Sequence, residues 1–420
     1  MPIDREHFNI REHCHVNSNE DGDRFVGVKA DSDNAVIYFP VGYELPSSEV
    51  ELKRDIKNLF QVLATFTDKR DRLLHVDKFT APQSVDFPIQ AYLNVINYYL
   101  DHNGTYYSET ESAYKVDARG KTNWSRTIKT QKPMLQGNSP IYLKQVVRIQ
   151  TPNLNRLITR IHKYCVYESF DRIGWLYTLN KPEYPDISFD KTMFLSTLRD
   201  KLSCTNNDND KRLFRSMIAM IEFLDDKTID KQFYFGTDNF DSVWEKLIDK
   251  YFGETNKEAY FPHAKWTEKY GPAKGKSASA LEPDSIMVYK GKFYVLDAKY
   301  YKYGVYPELG TAALPQSSDI NKQITYAQFV KREKSGGAPV FNAFLMPFNK
   351  SKNKFDPNGG WMQNVAEAVG DWIDNSEQYE KVQGIVIDTR YLLKNFDGNH
   401  DYDKNLLAVE IEKVNEAPKE

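Results

Sequence analysis

Between Asp284 and Asp297 two apolar runs, Ser285 to Tyr289 and Phe293 to Leu296, flank the short polar break Lys290-Gly291-Lys292. Side chains of a strand alternate between its faces, and Gly291-Lys292 can serve as a two-residue turn, so the stretch is expected to fold as a β-hairpin. That turn pairs Lys290 with Phe293, Val288 with Val295, Ile286 with Asp297, and Asp284 with Lys299, all on one face. Asp284 and Asp297 then become diagonal neighbours, roughly 7–8 Å apart at the backbone. The second strand is apolar on both faces, with Tyr294, Leu296 and Ala298 on one and Phe293 and Val295 on the other, the pattern of a strand inside a sheet.

Two carboxylates and a lysine at the end of a buried strand carry a desolvation cost that needs a reason. A hard cation such as Mg²⁺ supplies one, because it takes a few carboxylate oxygens and keeps some of its waters. Such an ion acidifies a bound water and neutralises charge on a phosphate. Lys299 emerges on the same face as Asp297, where an ammonium can orient the attacking water or stabilise the transition state. The motif alone also fits an exposed hairpin with charged ends, and its context is what favours chemistry.

A third acid is sought upstream. Phe240, Val243, Trp244, Leu247, Ile248, Tyr251 and Phe252 follow the spacing of an amphipathic helix, with Gly253 as its stop. Asp241, Glu245 and Asp249 line one flank of that stripe; Glu245 is the expected partner of the hairpin acids and Asp249 the alternative. Downstream, a helix is expected after Pro315, capped by Ser317 or Ser318, with Gln323 and Tyr326 sharing a face within reach of a phosphate. Val340 to Met346 and Val382 to Ile387 read as buried strands. The order helix, hairpin, helix, strand, helix, strand makes a mixed α/β sheet.

With this order of an acid-bearing helix, a Pro283-Asp284 strand, an Asp297-x-Lys299 strand and a helix, the chain resembles the PD-(D/E)xK nucleases. More closely it resembles the LlaJI-type restriction endonuclease subunits, including the segments 37–43 and 162–168. The resemblance implies metal binding by Asp284, Asp297 and the backbone carbonyl of Ala298, a catalytic Lys299 and a supporting acid, itself a metal ligand, at Glu245. It also implies Mg²⁺ as cofactor and double-stranded DNA as substrate. Asp in place of the commoner Glu of the motif is an accepted variant, whereas Gln323-x-x-Tyr326 departs from the Q-x-x-x-Y spacing of the exonuclease branch. Subunits of this kind are similar to the nuclease component of McrBC-type systems, in which a separate GTP-hydrolysing AAA+ ring is the partner.

A net charge of −3 over 420 residues excludes a uniformly basic DNA-coating protein, so any nucleic-acid contact must use a local patch. The strongest local asymmetry runs from Lys115 to Lys163, where eleven Lys and Arg residues face one acid, Asp117. Lys121, Arg126 and Lys129, with Trp124 as a flat face among them, suit a phosphate backbone. A basic surface balanced by acids from elsewhere is the plainer reading. The family resemblance adds another: the segment Gly120 to Thr127 docks on the GTPase ring and stimulates it. Cys14, Cys165 and Cys204 are far apart, which argues against a disulfide scaffold and for the cytoplasm. No long apolar span or signal peptide stands out.

Residues 1–150 are expected to form an α+β N-terminal domain for partner or DNA contact, with a strand at Ala35 to Phe39 and a helix from Glu49 to Phe66. Residues 151–420 are expected to hold helices over Asn153 to Leu179 and Arg212 to Leu224 and then the nuclease. Three functions are compatible with these residues. The chain is a DNA endonuclease subunit of a restriction-modification defence system with a nucleotide-hydrolysing partner, or an autonomous restriction endonuclease, or a DNA-binding scaffold on an inactive nuclease fold. The last is disfavoured because Asp284, Asp297 and Lys299 are all present.

Overall fold

In the computed structural model the described residues are 9–18, 24–30, 35–67, 87–117, 119–177, 181–224, 233–266, 269–270, 276–352, 355–356 and 358–413. The expected end of one helix at Leu179 and the tail from Val414 lie outside them.

The N-terminal sheet is built from β1 (Cys14–Val16), β2 (Val26–Ala30) and β3 (Ala35–Phe39), and is followed by helix α1 (Glu49–Phe66), both β3 and α1 falling where the apolar spacing put them. Next come α2 (Ile89–Asp101) and a projecting module of β4 (Glu109–Val116), β5 (Lys121–Thr122), α3 (Trp124–Thr130), β6 (Met134–Gln136), β7 (Ser139–Ile141) and β8 (Val146–Asn153). Helices α4 (Leu157–Ile173), α5 (Lys191–Cys204) and α6 (Asp208–Phe223) follow, and then β9 (Phe233–Thr237), α7 (Phe240–Phe252), β10 (His263–Trp266) and β11 (Lys276–Ala280). The remainder holds β12 (Ser285–Tyr289), β13 (Lys292–Ala298), α8 (Ser317–Glu333), β14 (Val340–Phe348), β15 (Met362–Ala368), β16 (Val382–Asp388), α9 (Thr389–Asn395) and α10 (Asp401–Glu412).

Two sheets organise the chain. The first has the order β1-β3-β2-β9, so a strand from residues 233–237 completes a sheet begun before residue 40. Gly27 and Gly236 face each other across the β2–β9 ladder. A Cβ on Gly27 would stand 2.1 Å from the Phe235 carbonyl oxygen, so the close approach of these strands needs glycine. The second sheet has the order β12-β13-β14-β16-β15, with β13, β14 and β16 parallel and both edges antiparallel. The fold is therefore mixed α/β, as the alternation of periods implied. Between β14 and β16, where a helix was expected, the chain instead lays the edge strand β15 against β16.

One face of this sheet, carrying Met287, Tyr294, Leu296, Leu345 and Ile387, joins a core that continues through α7 and α1 into the N-terminal sheet. The other face, carrying Ile286, Val295 and Val340, is closed by Tyr326, Ala327 and Val330 of α8. All seven apolar residues of the α7 stripe are buried. Trp244 Nε1 donates to the Leu345 carbonyl at 3.2 Å, which locks the helix to the centre of the sheet.

Candidate active site

The hairpin turns at Lys290-Gly291, both with positive φ, and not at Gly291-Lys292. This is the primed two-residue turn whose twist matches that of the flanking strands. The register consequently runs Val288 with Phe293, Ile286 with Val295 and Ser285 with Leu296, two residues off the expected pairing. A two-residue slip keeps every side chain on its face. Continued by one step, it sets Asp284 directly opposite Asp297, closer than the diagonal arrangement expected from the sequence.

Asp284 sits just before β12 and is held at both ends. Its Oδ2 accepts from the Ala298 N–H at 2.8 Å, and its backbone carbonyl accepts from Lys257 Nζ at 2.6 Å. The N–H and C=O of one strand residue point to the same edge, so the Ala298 carbonyl faces the side on which Asp284 lies. Burial, then the charges of Asp297 and Glu245, push the Asp284 carboxyl up to about 7, against the opposing Ala298 N–H and Lys299. Asp297 Oδ2 is buried and accepts no well-formed hydrogen bond, although Lys299 Nζ stands 2.9 Å away as an ion-pair partner.

Lys299 follows the end of β13, where its N–H donates to the Leu345 carbonyl at 2.9 Å. Its ammonium bridges Asp297 and Asp319, the second at 3.1 Å. Burial disfavours the charged form, yet the two carboxylates outweigh it and raise the Lys299 pKa, so the side chain stays a cation. Asp319 escaped the sequence reading. It belongs to the first turn of α8, and its Oδ2 accepts from the Gln316 N–H at 3.3 Å. Gln316, and neither Ser317 nor Ser318, is the N-cap, in a reciprocal capping box with Asp319. The sequence signal was an acid three residues into a helix beginning after Pro315.

Among the flank acids, Glu245 is the one whose charge acts on Asp284. Its own pKa is raised by burial and then by Asp241 and Asp297. It lines a cleft of about 370 Å³ with Asp238, Asp241, Ala298, Lys299 and Tyr301. Asp249, one turn on, is instead engaged by Lys257 at 2.8 Å. Lys257 thus links Asp249 to the main chain of Asp284, a contact that no spacing in the sequence announced.

Gln323 is buried, and its amide donates to the Val295 carbonyl at 2.8 Å, so this structure places it inside the fold and out of reach of a phosphate. Tyr326 packs beneath β13, with its hydroxyl pKa raised by burial and by the Asp297 and Asp284 charges, which places it near the acids. Lys121, Trp124, Arg126 and Lys129 lie far along the chain, in the projecting module. Arg126 stacks on the Tyr114 ring at 3.8 Å, and Trp124 and Lys129 are exposed.

Whether these residues fit a divalent ion can be tested on their oxygens. Like charges converge at Asp284, Asp297 and Glu245, and the buried Asp297 Oδ2 accepts no well-formed hydrogen bond, its partner being the Lys299 ammonium at 2.9 Å. Both features are relieved by a cation. Among the described residues no three acid, His or Cys side chains stand close enough to enclose a metal by themselves. The fit is therefore to an ion held by two carboxylates and a carbonyl that keeps its remaining waters, as Mg²⁺ does.

Comparison with known proteins completes the description. Over 268 residues the chain is 25% identical to the Bacillus subtilis (strain 168) "Type II restriction enzyme BsuMI component YdjA", spanning 60% of this chain and 56% of that relative. The chain thus spans little more than half the length of this curated relative. Two solved chains from Thermococcus gammatolerans, one from an assembly of McrB AAA+ hexamers with bound McrC and one from the McrBC complex, give TM-scores of 0.39 and 0.22 at 15% and 14% identity. They cover 91% and 54% of this chain, and 83% and 64% of theirs, and at such scores they carry no argument about fold. The family model for the LlaJI restriction endonuclease matches residues 25–362, and the chain belongs to that family.

Proposed function

We propose that this chain is a Mg²⁺-dependent DNA endonuclease subunit of a restriction-modification system, with a PD-(D/E)xK catalytic centre and a nucleotide-hydrolysing AAA+ partner. The observation that carries the reading is the single edge at which Asp284, Asp297 and Lys299 meet, with Glu245 brought to it from α7. Asp284, Asp297 and the Ala298 carbonyl would hold the ion, with Glu245 as supporting acid. When bound, it supplies an acidified water and charge neutralisation at the scissile phosphate. Lys299, fixed as a cation between two carboxylates, puts positive charge where negative charge develops during hydrolysis. Tyr326 and the wall of the cleft at Tyr301 shape the approach of the phosphodiester.

The projecting module supports the partner. Trp124, Ile128, Leu135 and Leu143 are all more than half exposed on it, interleaved with Lys121 and Lys129. Large exposed apolar side chains gathered in one short module suit a protein partner better than a phosphate backbone alone. The partner proposed is a GTP-hydrolysing ring of the McrB kind, with both subunits acting on phage DNA in the cytoplasm.

The test is cleavage of plasmid DNA by the purified chain with Mg²⁺, with and without the neighbouring GTPase. Cleavage that needs both and disappears in Asp297→Ala is expected. Near-normal cleavage by Asp297→Ala sinks the active-site assignment. Site-specific cleavage by the isolated chain, with no nucleotide, replaces the partner-dependent enzyme with an autonomous one.

A further inference from the structure

Immediately before Asp284 the chain makes a two-stranded ribbon, β10 paired antiparallel with β11, that belongs to neither large sheet. All four β10 side chains are exposed; Trp266 is 74% exposed, and Tyr270 beyond it 94%. A two-stranded hairpin by itself is marginal in water. Trp266 and Tyr270 are large exposed aromatics among the described residues of this segment, and surface of this kind suits a binding partner. The root, by contrast, is anchored. The Leu281 N–H closes it on the Pro262 carbonyl at 2.9 Å, and the Tyr260 ring packs 6.0 Å from Phe293 of β13.

We propose that this ribbon is a DNA-binding element that enters a groove of the duplex beside the scissile bond. The inference rests on the endonuclease reading and adds to it the surface that grips the substrate. Three observations select DNA over a protein. First, the sequence from His263 to Leu281 holds four lysines against one acid, Glu268, in a chain that is acidic overall. Lys265 and Lys269 are both exposed and suit phosphates. Secondly, a two-stranded ribbon is one of the shapes a major groove about 12 Å wide admits. Thirdly, Ala280 lies four residues from Asp284, at most about 14 Å along the chain, so a phosphodiester at the acids brings the neighbouring groove to the ribbon. Trp266 and Tyr270 then lie against sugars and base edges while the lysines hold the two backbones.

The test uses full-length Asp297→Asn protein, expected to bind without cutting, with a benzoylphenylalanine photo-crosslinker placed at Trp266 in one sample and at Tyr301 of the cleft in another. Irradiation with duplex DNA is expected to crosslink DNA from both positions. Crosslinking from Tyr301 alone overturns the ribbon assignment and leaves the endonuclease reading standing. If neither position reaches DNA, the endonuclease reading fails and the ribbon proposal with it. A second measurement guards against distortion by the label. Lys265→Ala with Lys269→Ala should flatten the log–log salt dependence of DNA binding by about two units of slope, roughly one per lost phosphate contact. An unchanged slope overturns the proposal.

Discussion

Asp284 concentrates the chemistry of the site in one titration. Its carboxyl holds a proton to about 7 in the folded chain, because burial and the Asp297 and Glu245 charges oppose ionisation, whereas the ordinary value is 3.8. Between those two values the native state binds more protons than the unfolded one, so without metal stability falls as pH rises through that window. Asp284→Asn should accordingly melt higher than the parent at pH 8 in a chelator, and the gap should close towards pH 4. A gap that is constant with pH contradicts the cause given for the shift. Mg²⁺ competes with the same proton, so its apparent affinity should weaken as pH falls below 7, which calorimetry can follow. Lys299→Ala should cost about 10²–10³ in cleavage rate with DNA affinity largely kept. Asp319→Asn, which frees one side of the Lys299 ammonium, should lower the rate in the same direction, and Asp319→Glu should recover part of it. Gln316→Ala weakens the same helix cap without touching that contact, and loss of rate in this control would assign the effect to the helix start.

At the scale of elements, the helix α7, the strand β13 and the meeting of Asp297 with Lys299 at its end were legible because their signals are local: a 3.6-residue stripe, a run apolar on both faces, and Asp297-x-Lys299 at its close. The hairpin register was legible only to within two residues. The sequence offers both Lys290-Gly291 and Gly291-Lys292 as turns, and the choice falls on Lys290 accepting a positive φ of 47°. What the sequence could not announce are contacts between elements distant along the chain. Lys257 reaching the Asp284 carbonyl, Asp319 reaching Lys299, and Gln323 turning inward to Val295 are of this kind. The edge strand β15 was hidden for another reason, since Met362 to Ala368 lacks a clean alternation and is made a strand by its partner β16. Lys257 gives a prediction at this scale. Lys257→Met removes the tie between Asp249 and the Asp284 main chain, so the Mg²⁺ concentration for half-maximal cleavage should rise several-fold, with Lys257→Arg in between. An unchanged metal requirement would make Lys257 a mere surface support of the loop.

The whole molecule couples its two sheets through short, specific ties. Strand β9 completes the N-terminal sheet and leads within three residues into α7, which carries Glu245. The Val41 N–H donates to the Tyr300 hydroxyl at 2.7 Å, next to Lys299, and Arg390 at the start of α9 pairs with the buried Asp55 of α1 at 2.7 Å. A force on the N-terminal half therefore has a path to both flanks of the acid cluster. The module of residues 109–153 stands outside this frame. Its first and last strands pair Glu109 with Asn153, so its two ends meet as cross-strand neighbours, and its interior has few buried side chains, chiefly Thr127, Val146 and Val147. Joining residue 108 to residue 154 through a short glycine linker should therefore leave the remaining fold intact, with melting within a few degrees of the parent. The ties lost from the junction include the ion pairs of Glu109 with Lys201 and Arg156 and of Glu111 with Arg156, and pairs as exposed as these contribute little to stability. The shortened chain should keep its DNA affinity at moderate salt, because the ribbon and the acid cleft are untouched, while losing the ability to stimulate GTP hydrolysis by the partner ring. The reverse pattern, with stimulation kept and DNA affinity lost, would make the basic module the grip on the duplex and would remove its role as the partner's docking surface.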